Sequence, residues 1–394
     1  MDPRDVPRKL KDSAASKLDD VVRSEETART VSGWEDRYAA HRRNQKMEDG
    51  TLRGIRVVVH RGWAAQGVAR IHGRVIESPR LPEEGSRIPY WDVLNANLRR
   101  HVSLAFPDVR VRAQLGEATG EGTTDRHGYV SVHLEVPDLT PGWHEVRLTT
   151  LSDDDGTEFS GTGRVLYPSP KAKFLVVSDL DDTVIRTGLD EGMVALRRTL
   201  FRDAHTRRAV PGMASLYRGL QRGVASRRGV TPPEPGFFYL STGSWSFYEM
   251  LTQFLQLRGY PRGPLFLTDW GPSDRYIHRS GEEHKRQTLV RLREAFPDTP
   301  MVLIGDSGQK DPDIYLWFAR EHPGAVAQIV IMKASDASAE RTAELRDQAV
   351  GIRGEGIAFH VADDADEAAQ ALHAAGLCDD MTLEEVETEI GAVF

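Results

Sequence analysis

The stretch FLVVSDLDDTV, Phe174 to Val184, decides how this chain is read. Phe174 to Val177 form a short apolar run of the kind that makes a buried strand, and Asp179, Asp181, Asp182 and Thr183 follow at once. Carboxylates crowded at a strand end repel one another. Two unit charges about 4 Å apart cost roughly 4 kcal/mol at an effective dielectric of about 20. Such a cluster persists where protons or a cation relieve it. With no His or Cys beside it, all-oxygen chemistry favours Mg2+ over zinc. Taken alone, the stretch also reads as an acidic turn that caps the next helix.

Further apolar runs repeat the pattern on the C-terminal side. FFYL, PLFL, MVLI, QIVIM and IAFHV read as buried parallel strands. Between them lie the helical stretches MASLYRGLQRG, SWSFYEMLTQFLQLRG, EEHKRQTLVRLREAF and DIYLWFAREHPG, with Leu289, Leu292 and Phe296 on one core face. This predicts a doubly wound α/β domain, in which sites gather beyond the C-terminal ends of the strands.

Three more motifs fall at such edges. MVLIGDSGQKDPDIY is a strand ending in Gly305-Asp306 with Asp311 and Asp313 beyond, where Gly305 and Gly308 permit a tight backbone near a ligand. Asp313 reads more simply as an N-terminal helix residue. FFYLSTGSW places Ser241, Thr242, Gly243 and Ser244 between a strand and a helix, where hydroxyls and N–H groups suit a phosphate and also suit helix capping. Lys285, in GEEHKRQTLVRL, sits near a helix start and opposes the dipole, which hints at a compensating anion; Glu282 and Glu283 leave a solvated lysine as the alternative.

On the N-terminal side the pattern changes. IRVVVH, VARIHGRVI, VRVRAQL, YVSVHLEV, WHEVRLTTL and GTGRVLY are β-like, and turn signals separate them. TTDRHGYVSVHLEVPDLTPGWHEVRLT reads as a β-meander, and YWDVLNANLRRHVSLAF as a helical insert. The expected product is a small β-sandwich, immunoglobulin-like or transthyretin-like. Its His60, His72, His127 and His144 read as surface or strand residues. The expected organisation is a charged helical segment over 1–52, a β-sandwich accessory domain over 53–168, an α/β domain over 169–378, and an acidic terminal helix or tail over 379–394.

Composition narrows the classes. The 394 residues carry 51 Lys and Arg against 59 Asp and Glu, net −8, which argues against a nucleic-acid partner. Cys378 is the only cysteine, which excludes an intramolecular disulfide and disfavours a cysteine-bound zinc. Apolar runs fall short of a spanning helix, and Met1 to Leu10 lacks a secretory apolar core, so the expected location is the cytoplasm, with peripheral membrane contact left open.

In this order and at these edges, the four motifs resemble the haloacid dehalogenase (HAD) superfamily of phosphotransferases. Asp179-Leu180-Asp181-Asp182-Thr183 matches its Asp-x-Asp-x-Thr motif, Ser241 its Ser/Thr, Lys285 its lysine, and Asp306 with Asp311 its acidic pair. SDLDDTVIRTG, FYLSTGSWSFYEML, GPLFLTDWG, HKRQTLVRL and LIGDSGQKDPDIY resemble the App1-type phosphatidate phosphatase catalytic domain, a relative of the lipins. The β-rich segment is similar to the accessory domain of bacterial members.

The resemblance implies that Asp179 attacks phosphorus to give an aspartyl-phosphate and that Asp181 serves as acid, then base. It implies Mg2+ held by Asp179, the main-chain carbonyl of Asp181, Asp306, and Asp311 directly or through water. Ser241, with Thr242 and Gly243, and Lys285 would hold the phosphoryl oxygens, Thr183 would brace the first loop, and Asp182 would shape it. The implied substrate is phosphatidate, a phosphate-bearing lipid, and the implied product diacylglycerol. Arg197, Arg198, Arg202, Arg207 and Arg208, with Leu200 and Phe201, make the segment between the first two motifs basic; anionic-lipid contact and ordinary ion pairing are equal readings of it. Trp270, Arg275, His278 and Arg279 are further candidates for the rim of the crevice. Two alternatives stay open: the same chemistry on a soluble phosphomonoester or phosphoprotein, and a lipid-binding or scaffold protein without turnover, which the Asp179/Asp181 pair disfavours.

Overall fold

Six strands of near-continuous apolar sequence pair in parallel to make one sheet, because only a sheet covered on both faces buries every side chain of such runs. A computed structural model of the chain describes residues 54–78, 104–152, 157–180, 183–184, 210–224, 233–268, 281–334 and 338–392. The parallel sheet comprises β9 (Leu175–Asp179), β10 (Phe237–Ser244), β11 (Leu265–Thr268), β12 (Met301–Asp306), β13 (Val326–Met332) and β14 (Phe359–Ala362), in the order β11-β10-β9-β12-β13-β14. The chain steps outward from β9 through β10 to β11, returns to the other side of β9 as β12, and steps outward again. The order reverses at β9 and β12, and sheets of this kind gather their ligand sites beyond the C-terminal ends of the strands at such a reversal.

Alternate residues of β9 enter two separate cores. Val176 packs with α1 (Met213–Arg222), α2 (Tyr248–Leu257), α6 (Ala365–Ala374) and α7 (Asp380–Gly391). Leu175 and Val177 pack with α3 (Gly281–Ala295), α4 (Asp311–Glu321) and α5 (Ala339–Gly354), where Leu289 and Leu292 are buried as their spacing predicts. The acidic stretch after Asp379 is the helix α7, capped by the Asp379 carboxylate, which accepts from the Thr382 N–H at 3.0 Å. It packs on α1 through Val386 and an Arg222–Glu385 pair at 2.9 Å.

The N-terminal strands form an eight-stranded mixed sheet: β1 (Ile55–Val59), β2 (Gly62–Ala65), β3 (Val68–Glu77), β4 (Arg110–Leu115), β5 (Ala118–Thr123), β6 (Tyr129–Glu135), β7 (Gly142–Thr150) and β8 (Ser160–Tyr167). The meander expectation is corrected here. β6 pairs with β3, whereas β7 pairs with β4 and β8. Alternation marks the buried face but not the neighbour. Val130, Val132 and Leu134 of β6 meet Val146 and Leu148 of β7 within one core rather than edge to edge. β5 packs against β6 through Gly120 and Gly122, where a Cβ would stand 2.6 Å from Leu134 and 3.0 Å from Val130.

The two sheets share a seam. Trp63 of β2 is buried among Phe238, Phe266 and Phe296, and Gln66 Nε2 donates to Glu294 O at 2.8 Å. His60 is 2% exposed at this seam, which corrects the surface half of its reading; its N–H extends the β1–β3 ladder by donating to His72 O at 2.9 Å. The 1–52 segment, most of the 90–106 insert, Asp181, Asp182, the Arg197–Arg208 segment and the 268–281 loop with Trp270, Arg275, His278 and Arg279 fall wholly or largely outside the described residues.

Candidate active site

Asp179 closes β9 and Asp306 closes β12, and these strands are hydrogen-bonded neighbours. The register pairs Ile304 with Ser178, so Gly305 stands level with Asp179 and Asp306 just beyond it. Asp311 is the first residue of α4, and Lys285 lies in the opening turns of α3. Four motif residues from four elements therefore meet. Lys285 Nζ donates to Asp179 Oδ1 at 2.6 Å and to Asp311 Oδ1 at 2.5 Å. One carboxylate oxygen each of Asp179, Asp306 and Asp311 lies within 4.8 Å of the others.

All four groups are removed from water: the three aspartates are fully buried and Lys285 is 2% exposed. Burial by itself pushes the Lys285 ammonium down, but the facing carboxylates of Asp179 and Asp311 outweigh it and hold the group above its ordinary range. The lysine that opposes its own helix dipole is thus compensated by two anions, and the solvated alternative does not hold. With all groups ionised, three carboxylates against one ammonium leave a net charge of −2 in the pocket. An all-oxygen donor set with that residual charge fits a hard divalent cation. Asp179, Asp306 and Asp311 are the residues that would hold it.

The surrounding bonds fix each acid. Asp306 Oδ1 accepts from the N–H groups of Gly308 at 2.7 Å and Gln309 at 3.0 Å. Ser178 Oγ donates to the Asp179 carbonyl at 2.6 Å and is itself bonded to Tyr217 Oη at 2.7 Å. Gly305 lets the strand end pack tightly against the chain's own acid: a Cβ there would stand 2.5 Å from Asp311 Oδ2 and 2.8 Å from Tyr315. Tyr217 and Tyr315 were not legible as bracing residues, since both look like ordinary core aromatics on helices.

Ser241, Thr242 and Gly243 continue β10 rather than starting a helix, and the pairing register with β11 shifts between Leu240 and Ser244. The Gly243 N–H donates to Ser241 Oγ at 2.9 Å, and Thr268 Oγ1 donates to the Thr242 carbonyl at 2.6 Å. Thr183 is buried beyond β9, and Asp313 is exposed in the first turn of α4, as its simpler reading has it.

Fold and site define an α/β protein with an aspartate–lysine centre at the tips of adjacent parallel strands. Residues 174–333 match the family model of the phosphatidate phosphatase APP1 catalytic domain, and this part of the chain is an App1-type catalytic domain. Phosphatidate phosphatase APP1 of Saccharomyces cerevisiae is 27% identical over 258 residues, 63% of this chain and 42% of that protein. An uncharacterized protein of Schizosaccharomyces pombe is 24% identical over 157 residues, 40% of this chain and 24% of that one. The chain thus spans less than half the length of the curated relatives it matches. Among solved structures, a carbohydrate acetylesterase from Xanthomonas citri aligns over 84% of this chain and 72% of its own at 9% identity, and its TM-score of 0.27 carries no argument.

Proposed function

We propose that the chain is a Mg2+-dependent phosphatase that cleaves a phosphomonoester through an aspartyl-phosphate, with phosphatidate as substrate and diacylglycerol as product. The observation that carries this reading is the convergence of Asp179, Asp306, Asp311 and Lys285 in one buried cluster within the matched domain. The fold reading that goes with it is a doubly wound, HAD-like domain over 169–378 preceded by a small β-sandwich over 53–168. The location that goes with this reading is the cytoplasm, with peripheral contact at a membrane as the way to reach a lipid substrate.

In this mechanism the Asp179 carboxylate attacks phosphorus, and the bond to the alcohol oxygen breaks. Asp181 gives its proton to the departing alkoxide. Asp181 then takes a proton from water, whose oxygen attacks phosphorus, and Asp179 leaves as a free carboxylate with inorganic phosphate. Lys285, already bonded to Asp179, orients the nucleophile and turns toward the phosphoryl oxygens. Ser241, with Thr242 and Gly243, holds those oxygens from β10. A bound Mg2+ supplies charge neutralisation on the phosphoryl group.

The test is phosphate release from phosphatidate micelles, lysophosphatidate, small phosphomonoesters and phosphopeptides, with and without Mg2+, using Asp179→Asn as the control. Release from phosphatidate that needs Mg2+ and falls on the order of 10^4-fold in Asp179→Asn is expected. Preference for a water-soluble ester overturns the lipid assignment, and undiminished turnover in Asp179→Asn overturns the nucleophile.

A further inference from the structure

The segment Ser241–Gly243 lies where β10 loses its regular register with β11, so the strand ladder alone does not hold it. Thr268 Oγ1 secures one side through the Thr242 carbonyl. The other side runs into the turn Trp245–Phe247, whose entry Ser244 caps by accepting the Ser246 N–H at 3.2 Å. That turn is gripped from the β-rich sheet. The His60 ring lies flat on Trp245, with centroids 4.6 Å apart and planes within 9°, and its other neighbours are Tyr248 at 4.3 Å and Tyr129 at 6.3 Å. The Arg61 N–H donates to Tyr248 Oη at 2.6 Å, and the Arg56 guanidinium pairs with Glu249. The last pair is more than a third exposed and counts for little. The stack and the partly buried hydrogen bond carry the grip.

We infer that His60 is a positioning residue, through which the β-rich sheet sets the geometry of the Ser241–Ser244 segment. The inference rests on the reading of that segment as the phosphate-binding edge. It gives the N-terminal sheet a part in the site without contributing a reacting group. Burial keeps the His60 imidazole neutral, with its ordinary pKa pushed down, so the ring serves as a flat aromatic plate. It follows that an uncharged aromatic side chain can replace it and alanine cannot.

The test uses the full chain in three forms: unchanged, His60→Ala and His60→Phe. Amide hydrogen exchange of the peptide spanning 241–248 should quicken about 2- to 10-fold in His60→Ala, the range an aromatic pair is worth, and return to the original rate in His60→Phe. The inhibition constant of inorganic phosphate should rise by a similar factor in His60→Ala and recover in His60→Phe. Tyr248→Phe, which removes only the hydroxyl, should move both readings in the same direction by less. Unchanged exchange at 241–248 in His60→Ala overturns the inference, as does faster exchange spread evenly over the whole chain. An unchanged chain that hydrolyses no phosphomonoester, with the exchange pattern as expected, overturns the functional reading and leaves the positioning role standing.

Discussion

Replacing Lys285 with methionine keeps most of the side-chain volume and removes the ammonium that Asp179 and Asp311 share. Both acids are fully buried and Lys285 is 2% exposed, so solvent does little to screen the loss. Leaving a buried charge without its partner costs about 3–5 kcal/mol. In a domain of roughly 150–250 residues each kcal/mol moves the melting point by about 2–4 °C, so Lys285→Met should melt about 6–20 °C lower. The pH dependence has a definite sign. The folded Lys285 is raised above its unfolded value of about 10.4, so its contribution is fully present below that pH and is lost only as pH rises past it. The deficit caused by losing the ammonium is therefore at full size throughout the neutral range. Calorimetric melting at neutral pH measures it. Millimolar Mg2+ should raise the melting point of the variant more than that of the unchanged chain, because the ion replaces the missing positive charge. A variant that melts within about 1 °C of the unchanged chain refutes the coupling of these groups.

Three further outcomes are expected. Gly305→Ala should destabilise the domain by about 1–3 kcal/mol, measured by urea unfolding, since the new Cβ collides with Asp311 and Tyr315; a neutral effect means that Asp311 is free to move. Tyr217→Phe removes the partner of Ser178 Oγ and should cost about 0.5–1.5 kcal/mol in the same assay, together with a loss of phosphate release because Ser178 holds the Asp179 carbonyl. His72 is held down to about 4 by burial, with His133, Arg291 and Arg70 adding to it, so it contributes stability that is present above pH 6.5 and lost as pH falls toward 4. His72→Gln should flatten the stability profile over that window, and an unchanged slope between the two proteins counts against the shift.

The parallel sheet was legible because each of its strands is an apolar run that only a doubly covered position explains. The strand-tip acids Asp179 and Asp306 were legible for the same reason, since a carboxylate immediately after such a run has nowhere to point but the crevice. Lys285 announced its partners through an unfavourable helix position. What was not legible depends on contacts between distant segments. GWAA and ATGEGT carry no strand signal; β2 is placed by Trp63 in the seam, and β5 by two glycines that let β6 come close. The alanine-rich α6 and the weakly patterned α5 offered no clear face. The His60–Trp245 stack joins segments 185 positions apart, and no local pattern reports it.

The gap between Asp179 and Asp306 is set by backbone rather than by side chains. They end adjacent parallel strands, and main-chain hydrogen bonding holds such strands about 4.8 Å apart whatever residues they carry. The centre therefore owns a ruler that sequence drift in the surrounding loops cannot stretch. A redesign seeking a roomier cradle has to recruit a different pair of strands, because lengthening one acid would crowd the cavity without widening it.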